Sequence, residues 1–210
     1  MRRLLSGSAA LAILATSFIT GAASAAEGTG TEAQPTASST VVINEISTRG
    51  QNGLADQFIE LRNVSTRVVD LTGYSLRIYG PSNNLVDTIS LPAGLQLQPR
   101  DNLGQYAVLV AKNFSGTIQD QTNVVPFNLT GDQAIPSNGG VALVSPTTMK
   151  VDGIAFSTGV TSAREGQPAV PESQATEQKN VANARDVLST DTDNNRVDFS
   201  LHQRTPGADN

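Results

Sequence analysis

From Val41 onward, short apolar segments recur between Gly, Pro, Asn and Asp punctuation, the pattern of an all-β sandwich. Predicted strands fall at 41–47, 57–63, 74–79, 85–91, 106–111, 141–145, 151–156 and 197–201, with a weaker one at 122–127. Tyr74, Leu76 and Ile78 alternate with Ser75, Arg77 and Tyr79, and Ile59 and Leu61 alternate with Glu60 and Arg62. One row of each strand therefore packs inward. Val197, Phe199 and Leu201 repeat that row near the end of the chain, while 106–111 is apolar on both faces, as in a strand covered on both sides. No segment carries a helical apolar stripe, and the mostly polar stretch 173–187 reads as loop or one or two turns.

The start of the chain has a different texture. Residues 1–25 read as an export signal, with Arg2 and Arg3, an apolar run, and Ala23-Ser24-Ala25 as the site of cleavage after Ala25. The run is broken by Ser6, Gly7, Ser8, Thr16 and Ser17 and is short for a membrane span of about 20 residues. Residues 26–40, rich in Thr, Ser, Gly and Ala, bury too little surface to offset their ordering entropy and predict a flexible tether. The sandwich domain then occupies 41–210. This organisation predicts a secreted, extracellular protein without a transmembrane anchor.

Three leading motifs, Ile43-Asn44-Glu45-Ile46, Phe58-Ile59-Glu60-Leu61-Arg62-Asn63 and Asp70-Leu71-Thr72-Gly73-Tyr74-Ser75-Leu76, resemble those of the lamin-tail domain family as found in exported bacterial proteins. Gly139-Gly140-Val141-Ala142-Leu143, Val151-Asp152-Gly153-Ile154-Ala155-Phe156, Asp191-Thr192-Asp193-Asn194-Asn195 with Asp198-Phe199, and Thr205-Pro206-Gly207 with Asn210 follow in the matching order. The resemblance implies an immunoglobulin-like β-sandwich of about eight strands without a known catalytic constellation. In that family the module accompanies exported nucleases, hydrolases and surface proteins. Gln57 stands where the family commonly has an acidic residue, and Tyr74 where it often has Trp.

Composition narrows the chemistry. The chain contains no cysteine, which excludes thiol catalysis, Cys-ligated zinc and disulfide stapling. Its formal charge is -5, and losing Arg2 and Arg3 with the leader leaves 12 basic against 19 acidic residues. An acidic surface with only three lysines repels phosphate backbones and argues against nucleic acid as a partner.

Candidate chemistry is sparse. Asp191, Asp193 and Asn195 place oxygen ligands at alternate positions, as the first half of a calcium loop does, and are the candidate metal ligands. Arg196 and His202 occupy the sixth and twelfth positions, so the loop is not an EF-hand; an Asx-turn run entering the last strand is the structural alternative. Glu45 and Glu60 could pair for glycoside chemistry, but each fits equally a carboxylate accepting hydrogen bonds from neighbouring backbone or from Arg49 or Arg62. Asp198, Ser200 and His202 have the residue types of a triad, yet at about 6.6 Å intervals along a strand they predict a solvent-facing polar row. Recognition is expected on the long loops 113–136 and 157–190, where Phe114 and Phe127 are the prominent apolar residues. The combined reading is a secreted, non-enzymatic module that binds a cell-surface protein or polysaccharide. The alternatives are an accessory domain of an extracellular nuclease or hydrolase system and a calcium-dependent adhesin, and no cofactor other than calcium is implied.

Overall fold

The computed structural model describes residues 37, 38 and 40–210. The signal peptide read in 1–25 and most of the tether read in 26–40 lie outside the described residues. Twelve strands occur among the described residues: β1 (Val41–Ser47), β2 (Phe58–Asn63), β3 (Val69–Asp70), β4 (Ser75–Tyr79), β5 (Leu85–Ser90), β6 (Gln96–Leu97), β7 (Tyr106–Ala111), β8 (Val124–Phe127), β9 (Gly140–Val144), β10 (Lys150–Ala155), β11 (Val181–Ala184) and β12 (Ser200–Gln203). A six-stranded sheet in the order β12-β11-β1-β2-β7-β8 faces a four-stranded sheet ordered β10-β9-β4-β5, and β3 pairs β6 in a small third sheet. Every pairing is antiparallel except β7 with β8.

The core lies between the two main sheets. Ile43, Ile46, Ile59, Leu61 and Leu109 from the larger sheet meet Leu76, Ile78, Leu143 and Ile154 from the smaller one. Removing this apolar surface from water, at about 25 cal/mol per Å2, is the main drive to fold. The outer faces are covered too. Phe58, Val108 and Ala182 pack beneath Phe114 and Ile118 on the larger sheet, and Ala142, Val144 and Ala155 pack beneath Val160 and Ala163 on the smaller. Gly153 permits the second contact, because a Cβ there would lie 2.1 Å from the carbonyl oxygen of Ala163.

The long loops are thus largely consumed by packing. Phe127 is a core residue, and Phe114 stands edge-on to Phe58 with ring centroids 5.5 Å apart, so neither is the free recognition residue that the loop reading expects.

Two stretches differ from their predicted form. Residues 173–187 contain a full strand, β11, which pairs β1 on one side and β12 on the other. The segment predicted as a strand at 197–201 instead begins with a short helix, α1 (Asn195–Asp198), before β12. Asn194 caps that helix by accepting from the Arg196 amide, and Asp198 accepts from the amides of Thr192 and Asn194. These bonds curl the backbone, leaving Val197 69% exposed while Phe199 is buried, so the expected apolar row does not form. Among the described residues no helix is long and apolar enough to cross a membrane.

Candidate functional site

β1 carries a bulge. Ile43 opposes Leu61 and Glu45 opposes Glu60, leaving Asn44 as an extra residue between them. Ile43 and Ile46 both remain in the core, and two successive polar side chains, Asn44 and Glu45, go to the outer face. There the C-terminal segment lies across them. Glu45 accepts from the Thr205 amide at 3.1 Å, while Glu60 accepts from the Gly207 amide at 2.5 Å and from the Asn44 side chain at 2.7 Å. Burial pushes the Glu45 carboxyl up to about 8, against the opposing pull of the Thr205 amide. Glu60 is also held well above the carboxylate range, by burial first and then by the charge of Glu45.

Arg204 fastens the same segment. Its guanidinium donates to Asp56 at 3.1 Å, to the Ser47 hydroxyl at 2.6 Å and to the Arg49 carbonyl, and it lies over the Phe58 ring. Burial alone would raise Asp56, but donors from Ser115 and Asn52 together with Arg204 outweigh it and hold the carboxyl below its ordinary value. Farther along, Asp209 accepts from the Tyr106 hydroxyl and pairs with Arg62 at 2.7 Å. The polar face of β1 and β2 is therefore an internal layer.

A second charged cluster forms where β11 leaves β1. Beyond Ala184, among the described residues, no strand pairs with Ile43 on that side, and side chains take over its backbone groups. Arg185 Nε donates to the Ile43 carbonyl at 2.9 Å, and the Ile43 amide donates to Asp152 Oδ2 at 2.5 Å. Arg185 also reaches Asp152 Oδ1 at 2.9 Å, Asp198 at 3.2 Å and Asp191 at 3.4 Å, with the Phe199 ring beneath it. Glu165 stands beside these acids and pairs with Lys150 at 3.2 Å. One carboxylate oxygen from each of Asp152, Glu165 and Asp191 lies within 4.8 Å of the other two. Burial, followed by the charge of Asp152, pushes Glu165 up to about 9, and burial with the charge of Asp191 raises Asp193.

The three sequence-derived calcium candidates separate in this setting. Asp191 belongs to the cluster. Asp193 adopts φ 56° and donates its amide to Asp191 Oδ1 at 3.3 Å, an Asx turn. Asn195 is fully buried and its side chain is committed: Oδ1 accepts from the amides of Ala155 and Glu165, and Nδ2 donates to the Gly153 carbonyl at 2.7 Å. Asp152 and Glu165, which sequence reasoning missed, stand in its place. The available signal was an acid inside the apolar run Val151-Asp152-Gly153-Ile154.

Asp198, Ser200 and His202 do not form a row. Asp198 faces Arg185, whereas the exposed Ser200 hydroxyl and His202 Nε2 lie 2.6 Å apart, closer than an ideal strand allows. Gln57, where the family commonly has an acid, donates to the carbonyls of Thr48 and Ile135 and accepts from the Ile135 amide. An ionised carboxylate could only accept. On the surface, an open groove of about 260 Å3 is bounded by Ala111, Lys112, Asn113, Phe127, Asn128, Leu129 and Gln133.

No curated protein matches the chain. The Lamin Tail Domain family matches residues 34–158, which include β1 to β10. The remaining strands complete the larger sheet, β11 beside β1 and β12 at its edge. With that match spanning more than half of the chain, this protein belongs to the lamin-tail domain family.

Proposed function

We propose that the chain is an extracellular, non-catalytic interaction module that docks on a cell-surface protein or polysaccharide through the turns and grooves of a rigid sandwich. The observation that carries this reading is the internal use of its carboxylates. Glu45, Glu60 and Glu172 each accept hydrogen bonds from the chain's own backbone amides, a structural use for the acids that chemistry would draw on. Acid–base work requires two such groups facing a common cleft.

The groove beside β8 supports the same reading. Exposed amide and amine groups of Lys112, Asn113, Asn128 and Gln133 rim a groove whose floor closes over the buried Phe127 and Leu129, a largely polar rim suited to a hydroxyl-rich polymer or an extended peptide. The test is sedimentation of the purified chain with insoluble cell-surface material and with isolated polysaccharide. Saturable binding weakened roughly ten-fold by joint Asn128→Ala and Gln133→Ala substitution supports the module, a loss of about 1.4 kcal/mol. Phosphodiesterase or glycosidase turnover that disappears in Glu45→Gln or Glu60→Gln, with folding intact, would sink it.

A further inference from the structure

We propose that Asp152, Glu165 and Asp191 form a binding site for one calcium ion. The three residues come from β10, from the loop after it and from the segment after β11, and the fold gathers one oxygen from each within 4.8 Å of the others. An ion that binds oxygen at about 2.3 to 2.6 Å spans such separations.

The observation that points to a ligand is Glu165 Oε2. Glu165 is 4% exposed, and among the described residues this oxygen has no hydrogen-bond partner although Oε1 is paired with Lys150. A buried carboxylate oxygen left without a donor is strongly unfavourable. Arg185 satisfies Asp152, Asp191 and Asp198 but makes no hydrogen bond to Glu165. A cation meets the need of the orphaned oxygen without requiring another donor.

Charge agrees with this. Among the described residues the cations beside Asp152, Glu165, Asp191 and Asp198 are Lys150 and Arg185, so four acidic groups outnumber two cations, and an ion entering the site takes the place of the proton that burial favours on Glu165. The donors are all oxygen, which selects a hard cation over zinc or copper. The Asp191 side chain is itself only 5% exposed, so the three carboxylates stand in an almost enclosed setting. Calcium tolerates such an irregular set better than magnesium, which demands a near-octahedral one.

Asn195 is the positioning residue. Its Oδ1 accepts from the Glu165 amide at 3.1 Å and its own amide donates to the Glu165 carbonyl at 2.9 Å, fixing the backbone that carries the third ligand. The Asp/Asn run thus contributes one ligand and the support for another. Lys150 and Arg185 already neutralise part of the charge, so the affinity falls in the range of extracellular calcium modules, with Kd about 0.1 to 1 mM.

Calorimetric titration of calcium into the metal-stripped whole chain tests the site. The expected result is saturable binding of one ion per chain, with a thermal midpoint raised by several degrees at saturation. Glu165→Gln should weaken binding roughly ten-fold or more, since affinity follows the ligand charge count. Lys150→Gln, which frees Oε1 at a partly exposed position, should tighten it and serves as the test if Glu165→Gln does not fold. Absence of binding heat, calcium affinity unchanged in Glu165→Gln, or affinity unchanged in Lys150→Gln would each overturn the site; a cluster closed by a proton gives the first result.

Discussion

Glu45 and Glu60 stand directly opposite each other in the β1–β2 ladder, and neither has contact with solvent. Like charges facing across a ladder are destabilising, so the pair favours a protonated state that water would not. Both carboxyls are raised in the folded chain, Glu45 to about 8. A carboxyl raised on folding contributes stability fully present below its unfolded value, near 4.5, and lost as pH rises through its folded value. Folding stability should therefore fall between about pH 5 and pH 8, by on the order of a few kcal/mol, and the thermal midpoint should fall with it. Glu45→Gln keeps the acceptor for Thr205 and removes the charge, and should flatten that fall; an equally steep profile in the variant counts against the pair.

Arg204 is the basic clamp on the C-terminal segment. Arg204→Met leaves Asp56 buried without its guanidinium and should cost about 3 to 5 kcal/mol, as breaking a buried pair does. Arg204→Lys should recover only part, since an ammonium cannot reach Asp56, Ser47 and the Arg49 carbonyl together from one planar fork. Chemical denaturation of the three proteins gives the ranking.

Gly207 sits at φ 79°, and a Cβ there would approach the Asp120 amide nitrogen to 2.5 Å. Gly207→Ala should lift the segment from the sheet and break its bond to Glu60. Hydrogen exchange at the amides of Thr205 and Gly207 should then accelerate well before the core strands do. Protection equal to that of the unsubstituted chain would show that the contact is dispensable.

Asn195 and Asp193 look alike in sequence and differ in consequence. Asn195→Ala strands the amides of Ala155 and Glu165 and the carbonyl of Gly153, at about 1 to 3 kcal/mol for each group left unsatisfied. Asp193→Asn retains a residue type that tolerates positive φ and should remain within roughly 0.5 kcal/mol of the original. Urea midpoints of the two variants should separate clearly.

Asn183 is fully buried on β11, and among the described residues neither its amide nitrogen nor its oxygen has a partner. Asn183→Val removes two unsatisfied groups and suits a strand, and should stabilise the chain by about 1 to 2 kcal/mol. For a domain of this size that is a rise of roughly 2 to 8 °C in Tm. A fall would mean that the amide has a use in the folded protein.

The strands legible in the sequence were those with a large apolar row. β1, β2, β4 and β7 announce themselves through Ile43, Ile59, Leu61, Leu76, Ile78 and Leu109, all core residues. β11 does not, because Val181-Ala182-Asn183-Ala184 offers small or polar side chains and becomes a strand through the backbone needs of β1. Alternation placed Glu60 and Arg62 on one face correctly, but period-two reasoning treats such a face as wet. It cannot register a C-terminal segment that returns to cover it, nor a bulge that sends Asn44 and Glu45 outward together. The acid cluster was half legible for the same reason: Asp191 lies in a visible run, whereas Asp152 and Glu165 reach it only through folding.

The contact between Glu45 and Thr205 joins residues 160 positions apart. Bringing such distant partners together incurs its chain-closure entropy before the contact offers any reward, which places a sandwich of this kind among slow folders. β1 is also made well before its neighbour β11 and the segment that covers it. The centre of the larger sheet must therefore wait with one edge open, exposed to mispairing, until β11 is available. Assembly of this sheet is set by residues 181–210, so a product lacking them would be a chain unable to close rather than a smaller sandwich.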